Sequence, residues 1–160
     1  MANDAAPPEV AFTVVAVDDP TARDLQDRQI TEMARRYGGR GPAPLHGDEF
    51  EPPMGCFVMA TIDGVGVACG GFRLLSPDVA EIKRMYVDPA VRRHGIGALM
   101  LKFLEERAKA AGYGEAWLET GIEQPDAISL YVAAGYRARP AYGEFKDDPR
   151  SRSFFRSLDG

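Results

Sequence analysis

Arg92-Arg93-His94-Gly95-Ile96-Gly97-Ala98 joins an apolar, β-rich run that ends at Val87 to an amphipathic helix that starts near Gly95. A strand-to-helix junction of this kind is a place to seat an anion. The first helical N–H groups have no partner within the chain, and the aligned peptide dipoles make that end positive. Gly95 and Gly97 carry no Cβ, which lets a phosphate approach the backbone, while Arg92 and Arg93 add positive charge. The same residues also fit a plain surface loop, so the neighbouring sequence decides.

Downstream, Ile96, Leu99, Met100, Phe103, Leu104, Ala108 and Ala111 recur at spacings of three and four, a stripe that packs one helix face on a sheet, and Gly112 stops the helix. Upstream, Cys56 to Ile62, Val65 to about Leu75 and Val79 to Val87 read as three strands. Asp63-Gly64 is a two-residue hairpin signal and Ser76-Pro77-Asp78 a second turn, so the three form an antiparallel meander. Ala116 to Thr120 is a further short strand, residues 126 to 134 a second helix closed by Gly135, and residues 136 to 145 and 152 to 158 are strand-like.

Toward the beginning, residues 10 to 17 form a first strand, and Asp19 with Pro20 caps a helix that runs to Tyr37 with Ala22, Leu25, Ile30 and Met33 on its apolar side. Gly38-Gly39 ends it. A long Gly- and Pro-rich loop follows to Gly55, carrying Pro42, Pro44, Pro52 and Pro53; long ordered loops are often functional, which makes this one a candidate substrate-side wall. The expected fold is mixed α/β, a largely antiparallel central sheet flanked by helices. It forms a single domain over residues 10–160 behind a flexible terminus of residues 1–9.

The chain has 160 residues, 45% of them hydrophobic, enough for one globular core. Its net charge of -5 argues against a general nucleic-acid binder and suits a cationic or neutral substrate. No apolar run reaches the length of a membrane span, and Met1 to Glu9 lacks the layout of a signal peptide, so a cytoplasmic protein without membrane partners is expected. Cys56 and Cys69 lie in apolar strands and read as buried thiols. Two histidines, His46 and His94, without ligand spacing give no metal site.

Two nucleotide motifs fail at the glycine loop. No lysine followed by Ser or Thr comes after the glycines, as a P-loop needs, and Met100 stands where a dinucleotide fingerprint needs a small residue.

Met85-Tyr86-Val87-Asp88-Pro89, the Arg92-x-x-Gly95-x-Gly97 core, Leu99-Met100-Leu101 on the following helix, and Leu130-Tyr131 followed by Gly135-Tyr136 resemble the GNAT superfamily, the GCN5-related N-acetyltransferases. The resemblance runs from about residue 56 to 137, and its two separated motifs fall in the right order and setting. It implies that the backbone of Arg93, His94, Gly95, Ile96, Gly97 and Ala98, supported by Arg92, binds the pyrophosphate of acetyl-CoA. It also implies that the main chain of Met85, Tyr86 and Val87 pairs with the pantetheine arm, with the acetyl thioester in a gap between that strand and the one at 116 to 120. Gln124 stands where relatives often carry an asparagine that reaches the cofactor.

The same resemblance implies the chemistry. The substrate would be a primary amine of a small molecule or peptide, and an ammonium with a pKa of about 10.4 must lose a proton before it can attack. Glu81 lies where histone acetyltransferases of the family carry their base and Glu119 where its ribosomal-protein acetyltransferases carry theirs; either, or water, remains open. A backbone N–H near Tyr86 or Val87 would stabilise charge on the thioester oxygen. Tyr131 matches the family tyrosine beside the sulfur and would act as general acid.

A rival reading is a non-catalytic acyl-CoA-binding sensor. Many members of the family dimerise, so a homodimer stays open. Arg73 and Lys83 read as solvated strand faces in preference to partners of phosphates or carboxylates. The acceptor wall is expected from the first helix, from the 38 to 55 loop with His46, Asp48, Glu49 and Phe50, and from Tyr142, Glu144 and Phe145 near the end of the chain.

Overall fold

The computed structural model of the protein describes residues 9–39, 45 and 47–159. Residues 1–8 of the flexible terminus expected over residues 1–9, and His46, lie outside the described residues. Seven strands form one sheet: β1 (Val10–Val14), β2 (Cys56–Ile62), β3 (Val65–Ser76), β4 (Val79–Val87), β5 (Glu115–Gly121), β6 (Arg137–Arg139) and β7 (Ser151–Ser157), in the order β1-β2-β3-β4-β5-β7-β6. Every pair is antiparallel except β4 with β5. The expected meander is present, with Asp63-Gly64 at the β2–β3 turn and φ positive at both residues, as a two-residue hairpin of this twist requires.

Alternation along β2 sorts the two faces of the sheet. Cys56, Val58 and Ala60 join the core beneath α2 (Ile96–Ala110) and α3 (Pro125–Ala133), whereas Phe57 joins Cys69 and Tyr86 beneath α1 (Pro20–Tyr37). Both cysteines are free and buried, and burial pushes the Cys69 thiol up to about 12, which makes it inert.

The Asp19 side chain accepts from Thr21 N at 3.1 Å and Ala22 N at 3.0 Å, and Gly38 closes α1 in the left-handed conformation. The buried side of α1 differs from the expected one. Ala22 and Leu25 are buried, but the stripe continues through Gln26 and Gln29 in place of Ile30. These amides are tolerated because Gln26 Nε2 donates to Val17 O at 2.8 Å and Gln29 Nε2 to Met85 O at 3.0 Å. On α2, Leu99 is exposed and Leu101 is buried in its stead.

Two expected strands are shorter than read. The first ends at Val14, and the segment expected over 136 to 145 is a strand only for Arg137–Arg139. Pro140 has no N–H to continue the ladder, and the chain leaves the sheet as an irregular segment before β7.

One irregularity shapes the centre of the sheet. Cys69 pairs with Tyr86 but Gly71 pairs with Lys83, so Arg84 and Met85 together oppose Gly70. Arg84 has φ of 60°, and a Cβ on Gly70 would lie 2.8 Å from Met85 Sδ. Gly70 therefore gives the bulge its room, and the bulge turns the second half of β4 away from β5.

Candidate active site

The parallel ladder between β4 and β5 runs from Val79 and Glu115 to Ile82 and Leu118 and stops there. Beyond it the strands diverge, and two cavities open at the split. The larger, of about 490 Å³, takes in Glu81, Lys83, Glu119 and Tyr131 and is walled by Glu49, Glu144, Phe145, Asp148 and Arg150. The smaller, of about 440 Å³, runs along Met85, Tyr86 and Val87 to Arg92, Arg93, Gly95, Ile96, Gly97 and Ala98. Gln29, Met33, Met85, Gln124 and Tyr131 line both, so the two spaces meet at these residues. His94 is exposed and is not among the lining residues.

The loop end of the smaller cavity is an open helix terminus. Gly95, with φ of 78°, is the N-cap of α2 and offers no side-chain cap. The N–H groups of Ile96, Gly97 and Ala98 have no hydrogen-bond acceptor among the described residues; the first bond of the helix is from Leu99 N to Gly95 O at 3.1 Å. Unlike α1, whose end Asp19 completes, α2 presents three free donors and the positive end of its dipole to the cavity. That donor set fits a pyrophosphate.

Both glycines line the smaller cavity, and each has a further structural task. Gly95 supplies the left-handed cap, and a Cβ at Gly97 would lie 3.2 Å from Leu130 Cδ2, so Gly97 lets α2 approach α3.

Arg92 is partly exposed but engaged by partners within the protein. Its Nε donates to Val87 O at 2.8 Å and its Nη2 pairs with Glu32 Oε2 at 2.9 Å. Asp88 caps the following turn through Ala90 N and pairs with Arg28 at 2.7 Å, which ties the loop to α1 a second time. Arg93 is exposed and forms no ion pair among the described residues.

The carboxylates of the larger cavity differ in their partners. Glu81 is buried, with Oε1 accepting from Arg73 Nε at 2.9 Å and Oε2 accepting from the Tyr142 hydroxyl at 2.9 Å. Arg73 also pairs with Glu49, so it is a bridge between two carboxylates and not the solvated residue expected. Arg139 stacks 3.4 Å over the Trp117 ring and packs against Tyr142. Glu81 thus fastens two walls to the sheet, the Glu49 turn through Arg73 and the segment after Pro140 through Tyr142.

Among the described residues Glu119 has one hydrogen bond, from Ser151 Oγ at 2.9 Å, and burial holds its carboxyl above the usual range against the opposing pull of Ser151 and Lys83. Lys83 is half-buried in the cavity wall, not the solvated face expected, and burial lowers its pKa. Tyr131 is buried, makes no hydrogen bond among the described residues, and is pushed up first by burial and then by the charge of Glu119.

Of the expected wall residues, Glu49, Glu144 and Phe145 line the larger cavity, whereas Phe50 is core beneath α1 and Asp48 does not reach it. Gln124 donates to the Tyr37 hydroxyl at 3.3 Å. Gln29, Tyr37, Arg150 and Ser151 were not singled out by the sequence; the signal for Gln29 is an amide on the apolar side of α1.

The comparisons with known proteins agree with this geometry. The model of the acetyltransferase (GNAT) family matches residues 21–136. An IAA acetyltransferase of Azospirillum brasilense is 36% identical over 135 residues, covering 79% of this chain and 88% of the relative. A solved structure from Klebsiella pneumoniae, assigned as an acyl-CoA N-acyltransferase, superposes with a TM-score of 0.82 at 27% identity, covering 93% of this chain and 97% of that one. A GNAT family acetyltransferase from Elizabethkingia anophelis, solved with acetyl-CoA bound, shares the fold with a TM-score of 0.67 at 17% identity, covering 92% and 97%. A split sheet with an open helix terminus at one end of the cleft, and a family match that spans most of the chain, together make this protein a member of the GNAT family of acetyltransferases.

Proposed function

We propose that the protein transfers an acetyl group from acetyl-CoA to a primary amine, with Glu119 accepting the amine's proton, directly or through water, and Tyr131 donating one at the sulfur. The observation that carries this reading is the meeting of the two cavities at Tyr131, Met85 and Gln124, with Glu119 on the acceptor side of the junction.

Acetyl-CoA supplies an activated acetyl thioester. The chain's own residues do the rest. The free N–H groups of Ile96, Gly97 and Ala98 hold the pyrophosphate end, and the edge of β4 beyond Ile82 receives the pantetheine arm. Gln29 occupies Met85 O and fixes the conformation of that edge. Glu119 suits a base because it lies in the cavity with a single hydrogen bond and a raised pKa, closer to the working range than an ordinary carboxylate. Glu81 suits the task less well, since both of its oxygens are engaged by Arg73 and Tyr142. Tyr131 stays protonated at every working pH and so is available as a donor.

The test is thiol release from acetyl-CoA over a panel of amines, followed with a thiol reagent. Amine-dependent release is the expected result. No release above background with any amine, while acetyl-CoA still raises the melting temperature, would leave a binding module and overturn the reading.

A further inference from the structure

Lys83 and Glu119 are the first residues on β4 and β5 past the last parallel rung, and both face the larger cavity. Most of the other charges there are matched within the protein: Arg73 by Glu49 and Glu81, Arg150 by Asp148. Lys83 is different. It is half-buried, and no carboxylate lies within salt-bridge distance of it among the described residues. Glu81, Glu144 and, across the split, Glu119 act on it only through space, and Arg73 and Arg84 oppose them.

A half-buried ammonium that no carboxylate contacts directly has its hydrogen-bond donors free for an anion that a ligand brings. The nearby anion, Glu119, stands across the split from it with one neutral hydrogen bond. The pair therefore presents a cation and an anion to one cavity from the two strands just past their last rung. This pattern complements a molecule that carries both signs at short separation.

We propose that the acceptor is a zwitterionic amine, its anionic group paired with Lys83 while its amine is delivered to Glu119. The assignment of Glu119 as the amine's partner rests on the acetyl-transfer reading; the anion site at Lys83 stands on the cavity alone. A lysine is a compact point charge that accepts a carboxylate or a phosphonate without planar selection, so the shared chemistry is an oxyanion near a primary amine. The cavity, at about 490 Å³, has room for a side chain on that amine.

The experiment compares matched acceptors that differ only in the anion: β-alanine, 2-aminoethylphosphonate and ethylamine, and phenylalanine against phenethylamine. The quantity read is the ratio of kcat/KM between the anionic and the anion-free member of each set. In the wild type at least one ratio is expected at roughly tenfold or more, the worth of one charge-assisted contact. Lys83→Met is expected to bring it close to one through KM, Lys83→Arg to restore part of it, and Lys83→Glu to invert it.

The carboxylate and phosphonate arms tell which oxyanion is preferred. Ratios at or below one throughout, or a ratio that survives Lys83→Met, overturn the proposal. Calorimetric binding of the same acceptors to the wild type and Lys83→Met, with CoA present, separates the two readings. Lys83-dependent binding without turnover keeps the anion site and overturns acetyl transfer. Turnover without Lys83-dependent binding does the reverse, and the absence of both overturns both.

Discussion

Ile82 and Leu118 are the last Cα partners on the parallel ladder of β4 and β5, and the two strands separate one residue beyond them. The cause lies on the opposite edge of β4, where Arg84 adopts a left-handed conformation and two residues oppose Gly70. A single bulge thus ends the ladder, opens a cleft on one side of Tyr131 and a cavity on the other, and leaves Glu119 and Lys83 at the fork.

Ala98→Glu is expected to abolish the rise in melting temperature that acetyl-CoA gives the wild type. Ala98 lines the smaller cavity, is exposed, and has neither the positive φ of Gly95 nor the contact with Leu130 that a side chain at Gly97 would meet. The substitution places a carboxylate against the helix terminus with little strain, so an unchanged shift would show that no phosphate binds there.

Glu119→Gln is expected to lower kcat by roughly 10²- to 10⁴-fold, the usual worth of general base catalysis. The wild type should lose kcat/KM on the acid side with a midpoint above that of an ordinary carboxylate, because the raised Glu119 must be ionised to act. The variant should lack that limb. An acid limb that persists unchanged in the variant would assign it to another group.

The same residue makes a stability prediction of definite sign. A carboxyl raised in the folded state favours folding when protonated; that contribution is complete below the ordinary carboxylate pKa and is lost as the pH rises through the folded value. Glu119→Gln cannot ionise, so its melting temperature should exceed that of the wild type at neutral pH, with the gap closing in acid. A gap that widens in acid would contradict the sign.

Tyr131→Phe is expected to lower turnover roughly tenfold or more while the melting shift with acetyl-CoA is nearly retained, since the hydroxyl has no structural hydrogen bond to lose. Unchanged turnover would hand the proton to water.

Glu81→Gln is expected to raise KM for the acceptor more than it lowers kcat, and to cost roughly 1–3 kcal/mol of stability through the weakened contacts of Arg73 and Tyr142. Tyr142→Phe should move KM in the same direction by less. A collapse of kcat with loss of the acid limb in Glu81→Gln would make Glu81 the base instead.

What the sequence made legible was written in local signals. Asp19-Pro20, Asp63-Gly64, Gly95 and Gly112 each fix a backbone conformation within a few residues, so element ends could be placed from them. The glycine loop and Leu130-Tyr131 likewise carry their meaning in short stretches. Long-range pairing was hidden. Nothing near Arg73 announces Glu49, twenty-four positions away, or Glu81 as a joint between two walls. The bulge at Arg84 depends on Gly70 in another strand, and the buried amides of Gln26 and Gln29 find their acceptors in Val17 O and Met85 O, nine and fifty-six positions away. Pro140 was a visible stop inside a segment whose residues otherwise favour a strand.

The unfinished end of α2 also makes the protein's local breathing a reporter of occupancy. In the free protein the amide hydrogens of Ile96, Gly97 and Ala98 have no acceptor among the described residues and should exchange with solvent at near-intrinsic speed, whereas Leu99, bonded to Gly95 O, is the first to resist. An anion seated at the terminus converts three unprotected amides into protected ones, so exchange at these positions becomes a residue-level titration of the cleft that needs neither turnover nor a known acceptor.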